Sequence, residues 1–169
     1  MSETPCPVVH LDAVPLRETG HGDGFAAALG RIGPLIGARQ LGCQLHIVPP
    51  GKAAFPRHAH HANEEMLVIL SGEGEYRIGA ARHAVRAGHV CAAPAGAAET
   101  AHQLRNTGAG ELRYLCISTR HDPEVVEYPD SGKIGVMSMV PESTGMRGAR
   151  VFHLWSAEDE SLGYWDGEG

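Results

Sequence analysis

The chain predicts an all-β protein, a barrel or sandwich of antiparallel strands, and two observations carry that expectation. Twenty-two glycines and eleven prolines punctuate the 169 residues at short intervals. Between them lie short apolar runs bounded by turn residues, the pattern of many brief strands. Helical composition is confined to Phe25-Ala26-Ala27-Ala28-Leu29.

Taken in order, strands are expected near Val8 to Val14, Gln40 to Val48, Ala54 to His60, Glu65 to Leu70 and Glu75 to Ile78. Further strands are expected near His83 to Val85, His89 to Ala92, Thr100 to Asn106, Glu111 to Ser118 and Arg150 to Trp155. The turn signals Pro49-Pro50-Gly51, Gly72-Glu73-Gly74, Ala87-Gly88, Pro94-Ala95-Gly96 and Asn106-Thr107-Gly108 separate several of them. Glu73, between two glycines, is read as a solvated hairpin tip. With no internal repeat and no linker in the central part, one domain is expected. Residues 36–120 form its barrel core, 1–35 an N-terminal arm, and 121–169 a C-terminal extension that packs on the barrel or on a partner subunit.

Bulk composition removes several function classes. The longest uninterrupted apolar run, Met66 to Leu70, is far shorter than the roughly 20 residues a spanning helix needs, so no membrane is expected as a partner. The first residues show no basic and apolar leader, and the expected compartment is the cytoplasm. A net charge of -6 with no Lys/Arg cluster argues against nucleic acid. Cys6, Cys43, Cys91 and Cys116 form no C-x-x-C pair, and reduced, mostly buried thiols are expected.

Eleven histidines point toward metal chemistry, because three of them fall at 58, 60 and 61. In a strand, residues two apart share a face, so His58 and His60 aim their rings into one space roughly 6–7 Å apart along the backbone. Glu65 follows after a turn that lets its carboxylate face the same point from a neighbouring strand. His102 can complete the set from a later one. Three imidazoles and a carboxylate suit one divalent ion, Zn, Fe, Mn, Co or Ni, and leave positions open for water or substrate. Parity turns His61 and Glu64 away, places Leu67 and Ile69 inside with Glu65, and leaves Met66, Val68 and Leu70 on an outer apolar face. A flanking strand or a second copy must cover that face, and a homodimer is expected. His46, out of step with the core residues Leu45 and Ile47, is read as a surface or interface histidine. Trp155 and Trp165 are read as packing anchors.

These residues resemble the two motifs of the cupin superfamily. Gly51, His58-x-His60, Glu65 and Gly72 are similar to the first, and Gly88, Pro94-x-Gly96 and His102-x-x-x-Asn106 to the second. Six residues rather than five separate Gly51 from His58, and five rather than two separate Gly96 from His102, so the loop Ala97 to Ala101 is enlarged. His89 and Glu99 are the substitutes should that loop displace His102. Asn106 is read as a turn residue. The tail, Tyr128-Pro129-Asp130-Ser131-Gly132-Lys133 and Tyr164-Trp165-Asp166-Gly167-Glu168, resembles a branch of small bacterial cupins.

The resemblance implies a cupin jelly-roll barrel with one metal ion on His58, His60, Glu65 and His102. It also implies a small polar organic substrate, handled by a sugar phosphate isomerase-like or epimerase-like reaction or a dioxygenase-like one. Tyr76 and Glu99 are the candidate catalytic bases, and Arg57, Arg77 and Arg105 the candidate phosphate ligands. The alternative is a non-catalytic module that uses the metal to bind a small ligand.

Overall fold

The computed structural model describes residues 5–139 and 150–156. Thirteen strands occur among them, joined by turns and by single turns of 3-10 helix, so the fold is all-β. A six-stranded antiparallel sheet carries β1 (Arg17–His21), β2 (Phe25–Arg31), β3 (Leu41–Val48), β10 (Leu112–Thr119), β5 (Glu65–Ser71) and β8 (Val90–Ala93), in that spatial order. A three-stranded sheet, β7 (Ala81–Arg86), β6 (Glu73–Ile78) and β9 (His102–Asn106), lies across the core from it. Ala53 bridges to Phe25 on one side and Arg105 on the other, which ties the edges of these two sheets together. A four-stranded sheet, β13 (Arg150–Ser156), β12 (Lys133–Met139), β11 (Glu124–Tyr128) and β4 (Ala59–His60), completes the wall.

Period-two alternation decides what fills the barrel. From β5 come Leu67 and Ile69, from β9 Leu104, and from β10 Leu112 and Tyr114, all buried in one cluster with Val48, Tyr76 and Cys91. Full burial of a side chain such as Ile69 or Leu112 contributes roughly 1.5–3 kcal/mol. Polar residues on the same inward parity, Glu65 on β5 and His102 on β9, are thereby carried into the interior at one end.

The N-terminal arm covers part of the outside. Val14 and Ile32 bury against Leu45, with Leu11, Ile36, Ile47 and Leu115 packed beside them, so β3 and β10 are apolar on both faces. The outer face of β5 and β8 has no such cover among the described residues, and Met66, Leu70 and Val90 stay exposed there.

Several elements differ from the sequence expectation. Phe25 to Leu29 is not helical; it belongs to strand β2, paired with β1 across the Gly22-Asp23-Gly24 turn. Val8 to Val14 contains a 3-10 turn, Leu11–Ala13, instead of a strand. Of Ala54 to His60 only Ala59–His60 is strand, and β11 and β12 were not anticipated at all. Glu73 is no hairpin tip: it begins β6, while Gly72 is the corner where the chain passes from one sheet to the other. The cysteines are free as expected, but Cys6 is exposed, Cys43 and Cys116 are half-buried, and only Cys91 is buried. Trp155 is half-exposed, its ring stacked on His153. Trp165 and the Tyr164 to Glu168 stretch lie outside the described residues. Among the described residues no helix is long and apolar enough to cross a membrane.

Gly72 has φ +83°, and a Cβ there would meet the Glu111 carbonyl oxygen and come within 2.9 Å of Leu112 Cα. Gly72→Ala is therefore expected to destabilise the chain by about 1–3 kcal/mol, read from the midpoint of urea unfolding with an unchanged m-value.

Candidate metal centre

The short strand β4 and the residues before it set two of the rings. His58 is bridged to His102 by reciprocal backbone bonds, His58 N–H to His102 O at 3.1 Å and His102 N–H to His58 O at 2.8 Å. That pairing answers the question raised by the enlarged loop. The extra residues close into a 3-10 turn, Ala98–Thr100, and return His102 to the start of β9. Arg57, itself buried, holds the loop by donating to the carbonyls of Ala101, Ala98 and Gly79, and it also pairs with Asp130 at 3.1 Å.

His58, His60 and Glu65 converge, each offering one ligand atom within 4.8 Å of the others. His102 joins them through Glu65: its Nε2 lies 3.1 Å from Glu65 Oε2, and His60 Nε2 lies 3.7 Å from Glu65 Oε1. Ligand atoms about 2.0–2.2 Å from a common ion stand roughly 3–3.5 Å apart, so this spacing needs only small movements to close on one. His61 turns outward to Glu127 and Glu64 is exposed, as parity requires.

The donor atoms also suit a cation chemically. The Nδ1–H of His58 donates to the Pro56 carbonyl at 2.8 Å, which leaves Nε2 with its lone pair for the centre. Burial, then the neighbouring His102 and His60, lowers the His58 pKa to about 4, so its ring is neutral near pH 7. For Glu65 burial opposes ionisation, but the His102 hydrogen bond and the surrounding imidazoles outweigh it and hold the pKa at about 2. An ionised carboxylate among imidazole lone pairs is the set that binds a divalent ion.

His60 Nδ1 is buried and has no hydrogen-bond partner. The group nearest to meeting that need is Glu124, whose Oε2 lies 3.8 Å away. Glu124 is 2% exposed and held by the Ala62 N–H and the Asn63 side-chain amide, with Asn63 anchored in turn by His121 and Thr119. No motif announced Glu124, because β11 pairs with β4 only through tertiary structure, Val126 opposite His60. The usable signal was the β-branched and aromatic content of Val125, Val126 and Tyr128, a strand composition in a segment read only as a mixed tail.

A cavity of ≈ 430 Å³ opens above these residues. Its lining includes Gln44, His46, Phe55, Tyr114, Val126 and Tyr128, so the C-terminal extension supplies one wall. His46 is a correction: it is 4% exposed and faces the cavity, because the arm buries Leu45 and Ile47 on the opposite face of β3. Its Nε2 bonds Gln44 Oε1 at 2.8 Å and its Nδ1 bonds the Tyr114 hydroxyl at 2.8 Å. Burial lowers the His46 pKa to about 4, partly offset by the charge of Glu65.

The remaining nominees sit elsewhere. Tyr76 is buried with its hydroxyl donating to Ala92 O at 2.8 Å, and burial raises its pKa. Glu99 is exposed and accepts from Ala97 N–H, and the His89 ring accepts from Arg86 N–H on the surface. None of the three lines the cavity. Asn106 satisfies backbone groups, donating to Val48 O and Gly110 O and accepting from Gly108 N–H.

Residues 44–118 match the family model for the cupin domain. Two solved structures are similar over nearly the whole chain. A proposed sugar phosphate isomerase from Acidithiobacillus ferrooxidans is 26% identical, with a TM-score of 0.74 over 90% of this chain and 92% of that one. A sugar phosphate isomerase from Silicibacter pomeroyi is 22% identical, with a TM-score of 0.73 over 94% and 98%. A Thermotoga maritima protein described as a predicted oxalate decarboxylase is 21% identical, with a TM-score of 0.58 over 68% and 99%. No curated protein matches the chain.

Two outcomes follow from this geometry. His46 and His58 have depressed pKa values of about 4 in the folded state against 6.5 for a free histidine, so the unfolded chain binds more protons between those pH values. Stability of the metal-free protein should fall as pH drops from 6.5 to 4, by up to about 1.4 kcal/mol per pH unit for each ring, and His46→Gln should flatten that slope in denaturant titrations. Glu124→Ala should weaken Zn2+ binding roughly 10- to 100-fold in chelator competition, since the carboxylate 3.8 Å from the otherwise unpartnered His60 Nδ1 is gone.

Proposed function

We propose, from the match of residues 44–118 to the cupin domain and the barrel shared with its solved neighbours, that this chain is a cupin and a metal-dependent enzyme acting at a carbonyl or hydroxyl oxygen of a small organic molecule. The observation that carries this reading is the convergence of His58, His60 and Glu65 within 4.8 Å, with His102 bonded to Glu65, at the base of a cavity large enough for such a molecule. Those four residues would hold one divalent ion, which supplies Lewis-acid polarisation of a bound oxygen.

The chain's own groups divide the remaining work. Glu65 brings the negative charge that a divalent ion needs, and the Pro56 carbonyl keeps His58 in the tautomer that can ligate. In the same cavity, Gln44 Oε1 accepts the His46 Nε2–H, and His46 Nδ1 accepts from the Tyr114 hydroxyl. This row of neutral groups holds protons in place beside a ligand, which suits proton movement next to a polarised oxygen. Solved neighbours named for sugar phosphate isomerisation support an oxygen-directed reaction of this kind.

Protein purified without a metal-affinity step should carry, or take up from Zn, Mn, Fe or Ni salts, about one ion per chain. His60→Ala should lose most of that metal and most of the metal-induced rise in melting temperature, while His61→Ala keeps both. A stoichiometry near zero in the parent chain after incubation with all four metals would sink the reading. Turnover is then sought by isomerisation assays and oxygen uptake, with His60→Ala as the inactive reference.

A further inference from the structure

We infer that the molecule taken into this cavity is uncharged, oxygen-bearing and built on a planar apolar body about the size of one ring, and that it is not a phosphate ester. The inference rests on the metal-centre reading above and narrows it to a substrate class.

Phosphate recognition needs Arg or Lys forks or the N-terminus of a helix. Among the described residues no Arg or Lys lines the cavity. The three arginines that the sequence offers for this role are engaged elsewhere. The Arg57 guanidinium is held by three carbonyls and Asp130, both Arg77 terminal nitrogens bind Asp130, and Arg105 donates to Gly51 O. Lys133 sits over the Tyr128 ring, 5.5 Å from its centroid, and does not line the cavity. The helical elements among the described residues are single 3-10 turns of three or four residues, so no helix N-terminus points at the site. A phosphate dianion would lose its hydration against Phe55, Pro56, Leu67, Val126 and Met137, with no side-chain cation among the described residues to replace it.

The same walls favour a flat, neutral occupant. The Phe55 and Tyr128 rings border His58, with centroids 6.5 and 6.1 Å from its ring. Phe55 is 39% exposed at the cavity, apolar surface that a bound ring would cover. Also lining the cavity, the Gln44 carboxamide engages its oxygen with His46, whose ring packs on Phe55, and leaves its NH2 group to donate to a ligand hydroxyl or carbonyl. Such a molecule offers one oxygen to the metal centre and a second to Gln44, with its ring between them.

The test loads the chain with Co2+, confirms the stoichiometry, and titrates catechol, ribose 5-phosphate and inorganic phosphate while following the cobalt absorption bands and the heat of binding. Catechol, an aromatic diol, should shift the bands and bind at least tenfold more tightly than ribose 5-phosphate, and inorganic phosphate should not displace it. Phe55→Ala should weaken catechol about tenfold with cobalt content unchanged. Ribose 5-phosphate binding as tightly as catechol, a cobalt-loaded chain that ignores catechol, or a Phe55→Ala variant of parental affinity would each overturn the inference. A chain that takes up no cobalt removes the metal-centre reading at the separate stoichiometry step, and this inference with it.

Discussion

The site depends on one energetic constraint: an ionised carboxylate, Glu65, is held in the interior of a β-barrel. Burying such a charge without compensation costs several kcal/mol even after relaxation. Compensation here comes first from His102, whose Nε2–H donates to the carboxylate at 3.1 Å, with His60 Nε2 beside it at 3.7 Å. They reach Glu65 because two separate segments, residues 58–60 and the start of β9, are brought into register beside β5. The backbone bridge between His58 and His102 fixes those two residues, the turn after His60 fixes the third histidine, and β5 alternation aims Glu65 itself. Loss of any one pairing leaves the carboxylate under-compensated, so the fold and the site are coupled through the same few groups.

That coupling explains the use made of the enlarged loop before His102. Longer loops add little closure entropy, roughly 0.6 kcal/mol per doubling of length, but they do not by themselves define where the next residue goes. Arg57 supplies the definition by bonding three carbonyls around the loop while its own position is pinned by Asp130 from the C-terminal extension. Arg57 directly precedes His58, so one side chain ties together the loop, the bridge partner and the extension. A guanidinium with several donors in a fixed plane can do this, whereas a lysine cannot.

How much of this was legible in the sequence depends on whether a feature is local. His58, His60 and Glu65 were readable because two-residue spacing on a strand sets their direction without reference to the rest of the chain. His102 was readable through its motif, although only the structure shows that the longer loop still returns it. His46 was misjudged for a physical reason: alternation identifies two faces of β3 but not that the N-terminal arm buries the outer one, and a strand buried on both sides hides which face is the interior. Glu124, Val126 and Tyr128 were invisible because their importance comes from β11 pairing with β4 across more than sixty residues of chain, in a tail whose composition suggested loop. Phe25 to Leu29 has helical composition, yet it completes the sheet beside β3, where tertiary pairing overrides a propensity worth tenths of a kcal/mol per residue.

The chain and two of its solved neighbours share an architecture over nine-tenths or more of this sequence, but sharing a barrel does not transfer a substrate. In this fold the cluster of His58, His60, Glu65 and His102 is assembled from strand pairings in the barrel, whereas part of the cavity wall comes from the extension. The first set is constrained by the charge of Glu65 and can change little without unfolding the site. The second, Val126, Tyr128 and Met137, needs only to remain apolar enough to pack, so it is free to reshape what the cavity accepts. What the cavity can accept is therefore set more by the wall than by the histidine and glutamate cluster, and the absence of cationic side chains from that wall among the described residues is a stronger guide to its occupant than the names of proteins with the same barrel.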